Sequence, residues 1–170
     1  MKDMEQQRVV ALGFFDGVHI GHQKIMENAL EASDGMQTLC FTFSNHPFNF
    51  ILDRDATDPA ALKLICSEED KIELIEDMGF DILVNVPFDE SIMTMRAHDF
   101  FKSILIDKLN AGYVSVGFNY TYGARAEGKT DMLIEQCAEA GIGLKVQDAV
   151  MLDGKVVSST LIREMIKEGN

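Results

Sequence analysis

The chain has little of what nucleic-acid binding or membrane insertion would require. Lysine and arginine number 15 against 28 aspartates and glutamates, which gives a formal net charge of −13. Binding to a phosphate backbone needs a basic surface, so no nucleic-acid partner is expected. No apolar run approaches the roughly 20 residues of a membrane span, and the polar N-terminus has no signal-peptide core. No membrane partner is therefore expected either.

Cysteine is also scarce. Its three positions, Cys40, Cys66 and Cys137, are far apart and odd in number. They match neither a metal-binding spacing nor a disulfide framework, which indicates a reducing cytoplasm. The chain has no internal repeat and no linker rich in proline or serine, so its 170 residues are expected to form one domain with a sizeable core.

One stretch, residues 9–24, has the pattern of a strand, a glycine-rich loop and a helix. Residues 9–12 form an apolar run of the kind that fills a strand buried on both faces. Three glycines follow, at Gly13, Gly17 and Gly21, and then an amphipathic helical pattern begins. In an open parallel sheet such a loop lies where ligands bind, and the first N–H groups of the helix suit a phosphate.

Two histidines, His19 and His22, lie in this loop and are three residues apart. If the helix begins near His22, both imidazoles lie at its N-terminus and can donate hydrogen bonds to a phosphate there. The glycines would let a phosphate or a base approach the backbone closely. The alternative is a pair of capping histidines on a surface turn, which leaves the three glycines unexplained.

Two more segments follow predicted strands and have ligand-binding character. Residues 44–51 contain His46 and Pro47, and the proline favours an extended His46. Residues 118–129 carry aromatic rings that can stack on a planar ligand and an arginine, Arg125, that can hold a phosphate bidentately. The alternatives are a loop with a solvated histidine and a glycine-rich flap with core aromatics.

A fourth segment, residues 157–163, follows a predicted hairpin around Asp153-Gly154. Ser158 or Ser159 is a natural helix N-cap, and capping alone is the simpler interpretation. The sequence nevertheless places three hydroxyls and the Arg163 guanidinium at one helix start. The helix would have an apolar face formed by Leu161, Ile162, Met165 and Ile166.

The chain alternates strand and helix patterns about five times, with predicted strands at 9–12, 38–43, 81–86, 113–117 and 144–149. This alternation predicts a Rossmann-like α/β domain, a parallel sheet with helices on both faces. The four segments at 13–22, 44–51, 118–129 and 157–163 would then gather at one edge of the sheet.

The motifs resemble those of a known family. Residues 13–23, with the sequence His-Ile-Gly-His at 19–22, resemble the HIGH signature of the nucleotidylyltransferase superfamily and, in full, that of bacterial FAD synthetases. Residues 42–47 resemble the family's Thr-Phe-x-x-His-Pro motif, with Asn45 in place of a proline. Residues 116–128 resemble the flavin-branch motif, with tyrosines in place of two phenylalanines, and Lys129 stands where many members have aspartate. Residues 157–163 resemble the superfamily's second signature.

The resemblance, which runs from Leu12 to Arg163, implies an FMN adenylyltransferase that uses ATP with Mg²⁺ and FMN as substrate and releases FAD and pyrophosphate. It implies that residues 1–170 form one such domain, without a riboflavin kinase domain. The catalytic residues it implies are His19, His22 and Arg163. The nucleotide-binding residues it implies are Gly13, Phe14, Phe15, Asp16, Gly17, Gly21, Ser158, Ser159 and Thr160. The flavin-binding residues it implies are His46, Pro47, Phe48, Asn119, Tyr120, Thr121, Tyr122, Gly123 and Arg125. No carboxylate cluster in the sequence identifies the metal ligands.

Two other functions remain open from the sequence. The first is an adenylyl- or cytidylyltransferase of the same superfamily that acts on NMN, phosphopantetheine or glycerol phosphate. The aromatic segment at 118–123 favours a flavin instead. The second is a non-catalytic nucleotide- or flavin-binding module, for which two histidines and Arg163 would not all be needed.

Overall fold

The computed structural model describes residues 7–55 and 57–169, and its centre is a five-stranded parallel sheet. The five strands are β1 (Arg8–Leu12), β2 (Gln37–Phe43), β3 (Ile82–Val86), β4 (Ala111–Gly117) and β7 (Gly143–Gln147). They lie in the order β3-β2-β1-β4-β7. Two antiparallel hairpins form separate two-stranded sheets, β5–β6 (Thr121–Tyr122 and Gly128–Lys129) and β8–β9 (Met151–Leu152 and Lys155–Val156).

Helices connect the strands. They are α1 (Ile20–Glu31), α2 (Pro47–Ile51), α3 (Glu68–Asp77), α4 (Glu90–Met93), α5 (Ala97–Asp99), α6 (Thr130–Ala140) and α7 (Ser159–Glu168). Helix α5 continues directly into a π-helix at Phe100–Lys108. Short 3-10 turns lie at Asp16–Val18 and Ala124–Ala126.

The sheet is buried on both faces, as strand β1 shows. Its side chains alternate, so Val10 and Leu12 join the apolar cluster that contains the π-helix and α6, while Val9 and Ala11 join the cluster that contains α1 and Ile75 of α3. All four of these residues are at most 1% exposed. The predicted α/β fold with helices on both faces is confirmed.

One predicted segment differs from the structure, and one predicted apolar face is present but not buried. The sequence predicts a loop at residues 44–51, but these residues contain the single-turn helix α2, since Pro47 has the fixed φ that suits a first helical position. His46 is extended, as predicted, and its Nδ1 accepts a hydrogen bond from the Phe48 N–H at 3.1 Å. The apolar face of α7 is present but none of its apolar residues is buried, and Ile166 is 56% exposed.

Candidate active site

The two histidines lie together at the start of helix α1. His19 is the N-cap, and its Nδ1 accepts a hydrogen bond from the backbone N–H of His22 at 3.3 Å. The two imidazole rings stack with their centroids 3.5 Å apart and their planes 20° apart. Because Nδ1 of His19 acts as an acceptor, the ring proton of the neutral form is on Nε2, where it can be donated to a ligand.

Burial keeps both histidines neutral. Burial, together with the smaller effect of the neighbouring His19, lowers the pKa of His22 to about 3. Burial also lowers the pKa of His19. The Nδ1 atom of His22 is buried and has no hydrogen-bond partner among the residues described. Buried polar atoms in folded proteins usually have a partner, so this nitrogen is free to contact a ligand.

A first cavity of about 420 Å³ opens at the carboxyl ends of β1, β2 and β4. Of the predicted flavin-binding residues, it is lined by Pro47, Asn119, Tyr120, Thr121, Tyr122, Gly123 and Arg125. The rings of Tyr120 and Tyr122 are nearly parallel, 17° apart with centroids at 5.9 Å. The predicted His46 and Phe48 do not line this cavity. His46 touches its wall from outside, edge-on to the ring of Phe14 at 4.6 Å.

A second cavity of about 210 Å³ lies on the other side of His22. The predicted catalytic and nucleotide-binding residues that line it are His19, Gly21, His22, Ser158, Ser159 and Thr160, and the predicted flavin-binding residue Asn119 lines it as well. Ser158 is the N-cap of α7, since its Oγ accepts a hydrogen bond from the Leu161 N–H at 3.2 Å. The predicted capping role of Ser158 is confirmed. The hydroxyls of Ser159 and Thr160 lie at the same helix start, beside the cavity.

His22 lines both cavities, as do Ile25, Gly117 and Asn119. A ligand in the first cavity and a ligand in the second would therefore meet at His22. The arrangement suits a reaction that joins two molecules at their phosphate ends, in contact with the neutral N–H groups of two stacked histidines.

The sequence profile of the family described as FAD synthetase matches residues 1–161. The chain belongs to the FAD synthetase family. It is 31% identical over 172 residues to the bifunctional riboflavin kinase/FMN adenylyltransferase of Bacillus subtilis, covering 100% of this chain and 52% of that protein. The enzyme of the same name from Listeria monocytogenes is 34% identical over 164 residues, covering 95% of this chain and 50% of that protein.

A crystal structure described as a macrolide-efflux protein from Streptococcus pneumoniae has the same fold. The two structures superpose with a TM-score of 0.80 at 25% identity, covering 96% of this chain and 52% of the other. The chain spans about half the length of the curated relatives it matches. In the residues that the structure describes, no helix is long and apolar enough to cross a membrane.

The nucleotide-binding residues predicted from the first FAD synthetase motif do not all line the same cavity. Gly13, Phe14 and Phe15 line the first cavity, together with the predicted flavin-binding residues, whereas Gly21 lines the second. Asp16 and Gly17 line neither cavity.

Asp16 is instead buried, and its hydrogen bonds and ion pair hold the loop before α1 in place. Its carboxylate, 3% exposed, accepts a hydrogen bond from the Ile65 N–H at 2.9 Å and pairs with the Arg163 guanidinium. Arg163 also donates from Nε to the Lys63 carbonyl at 2.7 Å. The hydroxyl of Ser159 donates to the Asp16 carbonyl at 3.3 Å. The predicted role of Arg163 in holding the triphosphate stays a prediction, and in this structure its guanidinium is bound to Asp16.

The aromatic segment at 118–129 is held by contacts outside the family motif. Glu127 accepts a hydrogen bond from the Ala97 N–H at 2.7 Å and pairs with Arg96 at 3.1 Å. The backbone N–H of Ala97 and the side chain of Arg96 hold the pKa of Glu127 below its usual range. Arg125 has a φ of 55°, in the left-handed region that a non-glycine residue rarely adopts. The strained loop thus carries Arg125 at the wall of the first cavity.

Asn45 and Lys129, two of the departures from the FAD synthetase motifs, have different consequences. Asn45 exchanges two hydrogen bonds with the backbone of Phe88, donating to its carbonyl at 3.0 Å and accepting from its N–H at 2.7 Å. This clamp joins the segment after β2 to the segment after β3, and Phe88 lines the first cavity. Lys129 is exposed, lies opposite Thr121 in the β5–β6 hairpin and lines neither cavity.

Sequence reasoning missed part of the wall of the first cavity. Phe88, Ile92 and Met93 line it from the segment between β3 and α5, and Phe100 lines it as the first residue of the π-helix. Isolated apolar side chains of this kind carry no motif that would identify them in the sequence. Among the residues described, no group of three or more His, Cys, Asp or Glu side chains is arranged to hold a metal ion.

Proposed function

We propose that this chain transfers AMP from ATP to the phosphate of FMN. The observation that carries the proposal is the place of His22 between two cavities, in a chain of the FAD synthetase family. An oxygen of the FMN phosphate attacks the α-phosphorus of ATP in line and forms a new P–O bond. The bond from that phosphorus to the bridging oxygen of the β-phosphate breaks, which yields FAD and pyrophosphate.

The first cavity is the better site for FMN. Its volume of about 420 Å³ is in the range of small-molecule sites. Its walls include the nearly parallel rings of Tyr120 and Tyr122, and aromatic faces stack on planar ring systems. ATP would occupy the second cavity, beside the start of α7 and the hydroxyls of Ser159 and Thr160.

Catalysis then depends on positioning and on charge stabilisation. The attacking phosphate oxygen is already an anion, so no strong general base is required. His19 and His22 are neutral and act as hydrogen-bond donors to phosphate oxygens whose charge increases as pyrophosphate leaves. Arg163 would supply positive charge to the triphosphate, for which its guanidinium must leave Asp16.

The described residues do not fit a metal site built by the protein, so no catalytic step is assigned to a metal held by side chains. We propose that Mg²⁺ arrives with the phosphates of ATP, since this ion keeps several waters and is commonly bound through substrate phosphates. We further propose that residues 1–170 act as one FMN adenylyltransferase unit, and that it works in the cytoplasm without a nucleic-acid partner. The three dispersed cysteines support the cytoplasmic location, and the net charge of −13 supports the absence of a nucleic-acid partner.

A panel of acceptors tests the proposal. The purified chain is incubated with Mg²⁺, ATP and one of FMN, NMN, phosphopantetheine or glycerol phosphate, and the products are separated by chromatography. We expect FAD from FMN and no adenylylated product from the other three. An adenylylated product from another acceptor would assign the chain a different substrate. Bound flavin without any product would instead indicate a binding module.

A further inference from the structure

Lys71, on helix α3, is a buried cation without an ion-pair partner in the described part of the chain. The residue is 3% exposed. Its Nζ donates a hydrogen bond to the Phe43 carbonyl at 2.5 Å and lies 4.5 Å from the centre of the Phe14 ring. The ammonium group is thus held by one carbonyl oxygen and one aromatic face.

This placement is unfavourable for stability by itself. Lysine is almost never fully buried without a partner, because removing an ammonium from water is costly. Burial lowers the pKa of Lys71, against the opposing effects of Glu68, Cys66, Asp16 and Cys40. An apolar side chain of similar volume would fill the same space without that cost. Such a conflict between local stability and sequence is expected mainly at functional sites.

The groups that Lys71 touches belong to the wall of the first cavity. Phe14 comes from the loop after β1 and Phe43 ends β2, and both line the cavity. The Phe14 carbonyl also accepts a hydrogen bond from the Thr42 hydroxyl at 2.8 Å, which fixes its backbone. The free torsion of Phe14 is therefore in its side chain, and the ring lies between the Lys71 ammonium and His46.

We propose that Lys71 is a positioning residue for the flavin, holding the Phe14 ring at the angle that gives the first cavity its width. This proposal rests on the assignment of FMN to that cavity. Lys71 itself does not line either the first or the second cavity, so it acts through Phe14 and Phe43. When the ammonium is lost, the Phe14 ring can turn, and the isoalloxazine of FMN then contacts a cavity wall whose shape is less fixed.

Lys71→Met is the direct test, because methionine is unbranched and apolar and removes only the ammonium. We expect the KM for FMN to rise about tenfold, the order of a desolvated cation–π contact, while the KM for ATP stays unchanged. The thermal midpoint should not fall, since a buried charge is removed. Lys102→Met is the matched control, on the exposed side of the π-helix, and we expect it to leave both KM values unchanged.

A double-mutant cycle with Phe14→Leu separates positioning from a general structural role. Leucine has no aromatic face, so adding Lys71→Met to Phe14→Leu should raise the KM for FMN no further. Independent, multiplying effects of the two substitutions would overturn the proposal. An unchanged KM for FMN in Lys71→Met would also overturn it, as would equal rises in the KM for FMN and the KM for ATP. A Lys71→Met variant that fails to fold would overturn it as well, because the ammonium would then serve the fold alone.

Titration of FMN fluorescence distinguishes failure of the positioning proposal from failure of the proposed function. A wild-type chain that binds FMN but makes no FAD would contradict the proposed reaction, and weaker FMN binding by Lys71→Met would still support the positioning role. Equal FMN affinity in the wild type and the variant would overturn the positioning role alone. A wild-type chain that binds no FMN would overturn both.

Discussion

Replacing Asp16 by alanine should strongly destabilise the fold. The Asp16 side chain is 3% exposed, and its partner Arg163 is 13% exposed. Removing one member of a buried ion pair typically costs about 3–5 kcal/mol, because the other charge stays buried without compensation. The Ile65 N–H also loses its acceptor, and an unsatisfied buried donor costs about 1–3 kcal/mol. These contributions overlap, so we expect a loss of about 4 kcal/mol in the free energy of unfolding.

Urea denaturation followed by circular dichroism measures this loss directly. In a domain of this size the expected change corresponds to a thermal midpoint lower by about 8–16 °C. The control is Asp77→Ala, an exposed carboxylate at the end of α3, for which we expect a change of at most about 0.5 kcal/mol. The double variant Asp16→Ala/Arg163→Met should be more stable than Asp16→Ala alone, since no charge is left buried. A loss below about 1 kcal/mol in Asp16→Ala would refute the reasoning.

Two further predictions concern pH and backbone conformation. The pKa of His22 falls from its ordinary value of 6.5 in the unfolded chain to about 3 in the folded one, so between these values only the unfolded chain binds the proton. The free energy of unfolding should therefore decrease as the pH falls from about 6.5 towards 3, and His22→Ala should flatten this dependence in urea titrations. Gly123 and Gly154 both have a φ of 75°, but a Cβ atom at Gly123 would lie 2.5 Å from the Ala97 backbone nitrogen, whereas Gly154 has open space. We expect Gly123→Ala to lose about 2 kcal/mol more than Gly154→Ala in the same titration.

The sequence predicted the features that depend on local pattern. The apolar run before Gly13 identified β1, and the spacing of His19 and His22 placed both rings at the start of α1. The alternation of strands and helices identified the parallel sheet, and the order of the motifs placed them at one edge. These features follow from neighbouring residues, whose geometry is set by the strand and the helix themselves.

The features that depend on distant side chains were not predictable in the same way. Asp16 and Arg163 are 147 positions apart in sequence, and nothing in either motif indicates that they pair. Lys71 has the appearance of an ordinary helix-surface lysine, and only its contacts with Phe14 and Phe43 in the folded chain show that it is buried. The apolar face of α7 was predicted from periodicity, but periodicity does not show whether a neighbour covers it.

The measurement that tests the central claim most directly is a single-turnover reaction with ATP labelled at the α-phosphorus, comparing the wild-type chain with His22→Ala. The claim is that two substrates meet at His22, between the two cavities. We expect the label to appear in FAD in both cases, with the rate lowered about 10²–10³-fold in the variant, the usual effect of losing one preorganised donor. The affinities for FMN and ATP should change much less than the rate. A labelled FAD yield and rate in His22→Ala equal to those of the wild type would contradict the claim.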